Sequence, residues 1–166
     1  AQGYQESRLD HSVRSSAGAI GVMQLLPSTA ADPNVGIPNV TVLEDNIHAG
    51  AKYLAFLRDR YFSSEIIDPL NRTLFSLAAY NAGPRRITQL RRETTTMGLD
   101  PNIWFDNVEI VASRRLGRET VQYVSNIYKY YIAYRLIADR TPADSAFTQA
   151  NWRWKRSVAD LFVYRR

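Results

Sequence analysis

Cysteine is absent from the 166 residues, which excludes a disulfide framework, a thiolate zinc site and a cysteine nucleophile while leaving the cellular compartment open. Histidine occurs only as His11 and His48, without ligand-spaced companions. Metal binding is therefore not expected, and no cofactor is implied. No apolar run approaches the roughly 20 residues that span a bilayer, and the opening Ala1-Gln2-Gly3-Tyr4-Gln5-Glu6 lacks a basic stretch followed by an apolar one. The stretch is thus expected to be a soluble domain, with any signal peptide, anchor or upstream domain lying ahead of Ala1. Internal repeats and low-complexity segments are lacking. Gly18 and Gly21 have no strand before them and no Gly-Lys-Ser/Thr after them, which excludes a phosphate-binding nucleotide loop.

What is present suffices for one domain, since 45% of the residues are hydrophobic and a chain of this length can bury a core without staples. The formal charge of +5 and pI near 9.6 would suit an anionic partner. The basic residues are scattered, however, with small clusters at Arg85-Arg86, Arg91-Arg92, Arg114-Arg115 and Arg165-Arg166. None forms a nucleic-acid-binding run, so they read as solvated helix faces and no nucleic-acid partner is expected.

Apolar spacing predicts an all-α fold. One stripe joins Ile47, Ala51, Leu54 and Leu57, and another joins Thr120, Val124, Ile127, Tyr131 and Tyr134. Helices are expected over Gln2 to Asp10, Gly21 to Leu26, Pro27 to Ala31, Asp45 to Arg60, Pro69 to Asn81, Pro84 to Thr95, Trp104 to Val111 and Arg118 to Ala138. Pro27 suits a first turn, Asp45 could cap its helix, and Gly83-Pro84 should end one helix and start the next. Pro33, Gly36 and Pro38 mark an irregular connection. After Thr141-Pro142 the composition changes, and Trp152, Trp154, Lys155 and Arg156 mix aromatic and basic groups. Residues 139–166 read as a C-terminal extension of a domain of residues 1–138, packing back on it in preference to the other reading, a contact with wall polymer or a membrane surface.

Three separated segments carry the chemistry. The first is Glu6-Ser7, then Ser15, then Gly18-Ala19-Ile20-Gly21-Val22-Met23-Gln24; the second is Ala79-Tyr80-Asn81-Ala82-Gly83; the third is Glu119-Thr120-Val121-Gln122-Tyr123-Val124. Together they resemble the lytic transglycosylase family, whose catalytic domain has a goose-type-lysozyme-like helical fold with a substrate cleft. The pattern there is Glu-Ser, a Ser nine positions after the Glu, Gly-Ala-x-Gly-Leu-Met-Gln, Tyr-Asn-Ala-Gly and Glu-Thr-x-x-Tyr-Val. The interval from Glu6 to Ser15 agrees, and Val22 stands conservatively for Leu. The resemblance covers Ala1 to Ala138 and is strongest to the membrane-bound type F enzymes, which carry a solute-binding-protein-like domain ahead of the catalytic one. It implies a location in the periplasm or at the inner face of the outer membrane of a Gram-negative bacterium. In the family the catalytic Glu lies well inside a helix, whereas five residues precede Glu6 here, so further helical turns are expected before Ala1.

The resemblance implies cleavage of the β-1,4 bond between N-acetylmuramic acid and N-acetylglucosamine in peptidoglycan strands, with Glu6 as the catalytic acid. A glycosidic oxygen leaves poorly unless protonated, and a carboxyl in an apolar pocket stays protonated near neutral pH because desolvation disfavours its charge. Ordinary glycosidases add a second carboxylate. Asp10 is four residues away and could share a helix face, but the resemblance gives it no role. Instead the 6-hydroxyl of the muramoyl ring attacks its own anomeric carbon, giving a 1,6-anhydro end, and Glu6 turns from acid to base. A tethered nucleophile explains why one carboxyl can suffice.

Also by resemblance, Ser15 should hydrogen-bond the sugar, Met23 and Gln24 should line the cleft, and Tyr80 should lie close to Glu6. Asn81 should shape the cleft, and Glu119 and Tyr123 complete the third motif with Tyr123 contacting sugar. Plainer readings stand beside these. Tyr80-Asn81-Ala82-Gly83 could be a buried ring and a helix stop, and Glu119 could simply favour the positive end of its helix. The run Tyr128, Tyr130, Tyr131 and Tyr134 reads as core and helix surface. Asn39-Val40-Thr41 and Asn71-Arg72-Thr73 match glycosylation acceptors, a pattern that arises by chance. Two rival functions remain: a goose-type-lysozyme-like hydrolase that delivers water, and a non-catalytic peptidoglycan-binding domain.

Overall fold

The computed structural model describes residues 1–140. Seven α-helices follow one another: α1 (Gln2–Ser7), α2 (Pro27–Ala31), α3 (Leu43–Tyr61), α4 (Pro69–Ala82), α5 (Pro84–Thr96), α6 (Glu109–Leu116) and α7 (Arg118–Arg140). No strand forms among the described residues; only isolated bridges pair Ile20 with Arg14 and Leu25. The chain divides into two compact units, the first running from Ala1 to Lys129 and the second beginning at Tyr130. The aromatic and basic residues expected in a C-terminal extension, from Trp152 to Arg156, lie outside the described residues.

Local chemistry accounts for the helix limits. Asp68 caps α4 by accepting from the Asn71 amide at 2.9 Å, and Pro69 fills the first position, where no amide donor is needed. Gly83, at φ 90°, ends α4 and lets Pro84 open α5. On α3 the cap is Val42, so Asp45 is not the cap; with Glu44 it lies in the first turn, opposite Arg58 and Arg60 in the last, an arrangement that suits the helix dipole. The helix expected over Trp104 to Val111 begins only at Glu109. A wide turn precedes it, because Phe105 is extended and Asp106 is left-handed at φ 59°.

Two further expectations change near the N-terminus. α1 stops at Ser7, because Arg8 and Leu9 adopt positive φ of 58° and 67°, so Asp10 does not continue the helix. Residues 21–26 are not helical: Gly21 and Gln24 have φ of 73° and 42°, and the chain folds into a turn that pairs Ile20 with Leu25 at 3.0 and 3.1 Å. Gly21 is required there, since an added Cβ would lie 2.4 Å from His11 Nδ1.

The main core joins α3, α4, α5, α6 and the start of α7 around Phe62, Phe75 and Trp104, all fully buried. Each such side chain contributes about 1.5–3 kcal/mol of burial. A smaller cluster gathers Leu25, Ala30, Val35, Val40 and Ala49. Tyr53 and Tyr80 pack against both clusters, so they stand where the two meet. The buried face of α3 carries Asn46, Ala49, Gly50 and Leu57, whereas the expected members Ile47 and Ala51 are only half-buried. The expected stripe meets this face only at Leu57, because polar Asn46 and small Gly50 occupy its centre.

Candidate active site

Glu6 lies in the last turn of α1, half-buried. The Tyr123 hydroxyl from α7 donates to Glu6 Oε1, and the Gln2 amide donates to the Tyr123 oxygen at 3.2 Å. Gln2 also bonds the Glu6 side chain. Burial pushes the Glu6 carboxyl up to about 7 from an ordinary value of 4.5, and the bonds from Tyr123 and Gln2 oppose this by favouring the charged form. Desolvation therefore outweighs two hydrogen bonds. The result is a carboxyl about half protonated at neutral pH, the state a general acid needs.

The phenols beside it stay protonated. Burial first, and then the Glu6 charge, hold Tyr80 and Tyr123 well above the ordinary tyrosine range. Tyr80 donates to the Met23 carbonyl at 2.8 Å, which ties α4 to the turn after α1. Its ring also touches Tyr53 of α3, with centroids 5.2 Å apart.

The turn itself is held by polar groups. Asn46, fully buried on α3, accepts from the Met23 amide at 2.9 Å and donates to the carbonyls of Ile20 and Val40 at 2.8 and 3.1 Å. Ser7, next to Glu6, donates to Gly3 and Val22 carbonyls at 3.2 and 3.0 Å. The sequence reading assigned no role to Asn46, Ser7 or Gln2. Only Ser7 had a visible signal, its place in the Glu-Ser pair.

The remaining motif residues divide into groups. Met23 is buried, and a Cβ on Gly50 would meet its side chain at 2.7 Å. Gln24 is half-buried and donates to the Val13 and Gly21 carbonyls at 3.2 and 2.9 Å, so its amide donors serve the turn and its oxygen is left to accept. Ser15 is exposed, and its hydroxyl accepts from the Ala19 amide at 2.9 Å within its own loop. Asn81 is exposed and accepts from Thr120 at 2.7 Å, joining the second and third motifs. Glu119 is exposed in the first turn of α7. Asp10 is exposed and engaged locally: its carboxylate accepts from the Ser12 hydroxyl at 2.6 Å and amide at 2.8 Å, bonds that hold it below the usual carboxylate range. Among the described residues no group of three or more metal-ligating side chains gathers. Asn71 of the second acceptor-like triplet is buried and bonded to Asp68 and the Trp104 amide.

The transglycosylase SLT domain model matches residues 3–102. A membrane-bound lytic murein transglycosylase F of Desulfosudis oleivorans is 36% identical over 141 residues, covering 77% of this chain and 30% of that protein. Proteins of the same name from Pseudomonas fluorescens strain Pf0-1 and Shewanella frigidimarina are 35% and 34% identical over 144 residues, covering 79% of this chain and 29% of each relative. The chain thus spans about 30% of the length of these curated relatives.

Proposed function

Because the chain belongs to the transglycosylase SLT domain family, we propose that it is a peptidoglycan lytic transglycosylase, a carbon–oxygen lyase acting on the MurNAc-β-1,4-GlcNAc bond. The observation that carries this reading is Glu6, a carboxyl pushed up to about 7 by burial and bonded to neutral groups. Glu6 gives its proton to the departing glycosidic oxygen as the bond to the anomeric carbon breaks. The muramoyl 6-hydroxyl forms the new bond to that carbon, and its proton passes to Glu6. One proton is lent and returned, so no second carboxylate is needed. That economy agrees with Asp10 being engaged by Ser12.

Tyr123 and Gln2 support the charged intermediate state of Glu6, since both donate towards its carboxylate. Ser15, the free oxygen of Gln24, Asn81 and Glu119 are assigned to glycan binding. Met23 contributes through its carbonyl, which holds Tyr80 beside the acid. Residues 1–138 form the catalytic domain in this reading, and residues 139–166 its extension. The relatives' description as membrane-bound supports a place in the periplasm or at the inner face of the outer membrane, and the resemblance to the type F enzymes is the ground for an upstream solute-binding-like domain in the whole protein. No helix of the described residues is long and apolar enough to cross a membrane.

The test is mass spectrometry of soluble products from purified sacculi, treated with the chain or with Glu6→Gln. The expected result is 1,6-anhydro ends with the former and none with the latter. Reducing ends, heavier by one water, would instead establish a hydrolase.

A further inference from the structure

A cavity of about 390 Å³ lies between α2, the loop after it and α3, a size within the range of ligand pockets. Three partly exposed rings face it, Tyr53, Phe56 and Tyr61, together with the polar side chains of Thr29, Asp32 and Asn34. Aromatic faces beside hydrogen-bonding groups suit a pyranose, which has apolar C–H faces and a polar rim. Tyr53 places the cavity one ring away from Tyr80, the partner of the active-site turn. Asp32 makes the cavity acidic, which disfavours a carboxylate-bearing occupant.

A second cavity, about 360 Å³, adjoins the first: Tyr61 lines both, and Pro84 of the first precedes Arg85 of the second. Here α5 presents Arg85, Thr88, Gln89 and Arg92, one face at helical spacing. Arg85 and Arg92 are exposed, and no carboxylate of the described residues pairs with either. This second cavity suits an anion.

We propose that the two cavities form one distal subsite for a peptidoglycan strand, the Tyr53–Phe56–Tyr61 pocket holding an uncharged N-acetylglucosamine ring and Arg85 with Arg92 holding a carboxylate of the adjacent muramoyl peptide. An acidic aromatic pocket beside a basic one matches the alternation of neutral and carboxylate-bearing sugars along such a strand. The inference rests on the function proposed above and adds a binding site to it. Carboxylate-bearing strands are then preferred over uncharged N-acetylglucosamine chains, and the preference resides in α5 rather than in the residues around Glu6.

The experiment titrates the Glu6→Gln chain, which does not consume its ligand, with a tetramer of N-acetylglucosamine and with a four-sugar peptidoglycan fragment retaining its peptides. The fragment should bind about tenfold more tightly. The double change Arg85→Gln with Arg92→Gln should abolish that difference and leave tetramer affinity unchanged. Phe56→Leu with Tyr61→Leu keeps apolar volume but removes two rings, and it should weaken both ligands. Persistence of the peptide preference in the arginine variant, or unchanged affinities in the aromatic one, overturns the subsite. Release of 1,6-anhydro products by the unmodified chain is scored separately, so the subsite can fail while the proposed reaction stands; if neither ligand binds, the subsite falls.

Discussion

The Tyr123 hydroxyl donates to the Glu6 carboxylate from 117 residues further along the chain, so a group on α7 lowers the proton affinity that burial raises in an acid on α1. The bond favours ionised Glu6, whereas burial opposes it. Replacing Tyr123 with Phe removes the donor and should raise the Glu6 pKa. The alkaline limb of the pH–rate profile, expected near 7 in the unmodified chain, should then move upward by about one unit. A limb that stays in place would show that Tyr123 does not tune the acid. Gln2→Leu should move it in the same direction by a smaller amount, because Gln2 is the lesser of the two opposing bonds.

Glu6 should also make stability depend on pH. Its folded pKa, about 7, lies above the ordinary 4.5, so between these values the folded state binds more protons than the unfolded one. Stability contributed by the protonated form is complete below about 4.5 and is lost as pH rises to 7. Glu6→Gln carries no such charge. The variant should therefore gain on the parent chain across this window, approaching ~3 kcal/mol above pH 7. Denaturant melts at pH 4.5, 6 and 8 measure the difference, and a constant offset would refute it.

Asn46 holds the turn that carries Met23 by three hydrogen bonds at zero exposure. Asn46→Ala should strand the Met23 amide and the Val40 carbonyl, leave the Ile20 carbonyl with the Leu25 amide alone, and destabilise the chain by about 2–4 kcal/mol. Urea unfolding checks the loss. Activity should fall with it even at temperatures where the variant stays folded, because Tyr80 is anchored on the same turn.

The Thr120 to Asn81 bond joins α4 to α7. A double-mutant cycle of Thr120→Val and Asn81→Ala should return a coupling of about 1 kcal/mol in stability. Additive effects would mean that Asn81 serves the cleft alone.

Several elements are legible in the sequence. Proline and glycine punctuation located the start of α4 at Pro69 and the junction of α4 with α5 at Gly83-Pro84, because these residues restrict the backbone whatever surrounds them. The three motifs led to the lysozyme-like family that residues 3–102 match. The turn over residues 21–26 reads as helix in the sequence, because its apolar Val22, Met23, Leu25 and Leu26 resemble a helical run and nothing local marks Gln24 as left-handed beside Gly21.

What the sequence by itself determined is the residue set and the helical periods: an acid at position 6, motif tyrosines at positions 80 and 123, and apolar stripes that must be buried. Such signals are local, because covalent spacing alone creates them. Only the tertiary structure decided which polar groups meet. Gln2 reaches the Tyr123 hydroxyl and Tyr123 reaches the Glu6 carboxyl, Asn46 reaches three backbone groups, Asp10 bonds Ser12, and Gln24 spends its donors on its own turn. These pairings leave no period in the sequence, since a hydrogen bond across 117 residues costs nothing in local pattern. Burial, which raises Glu6 to about 7, is likewise a property of the packed helices rather than of any residue within them.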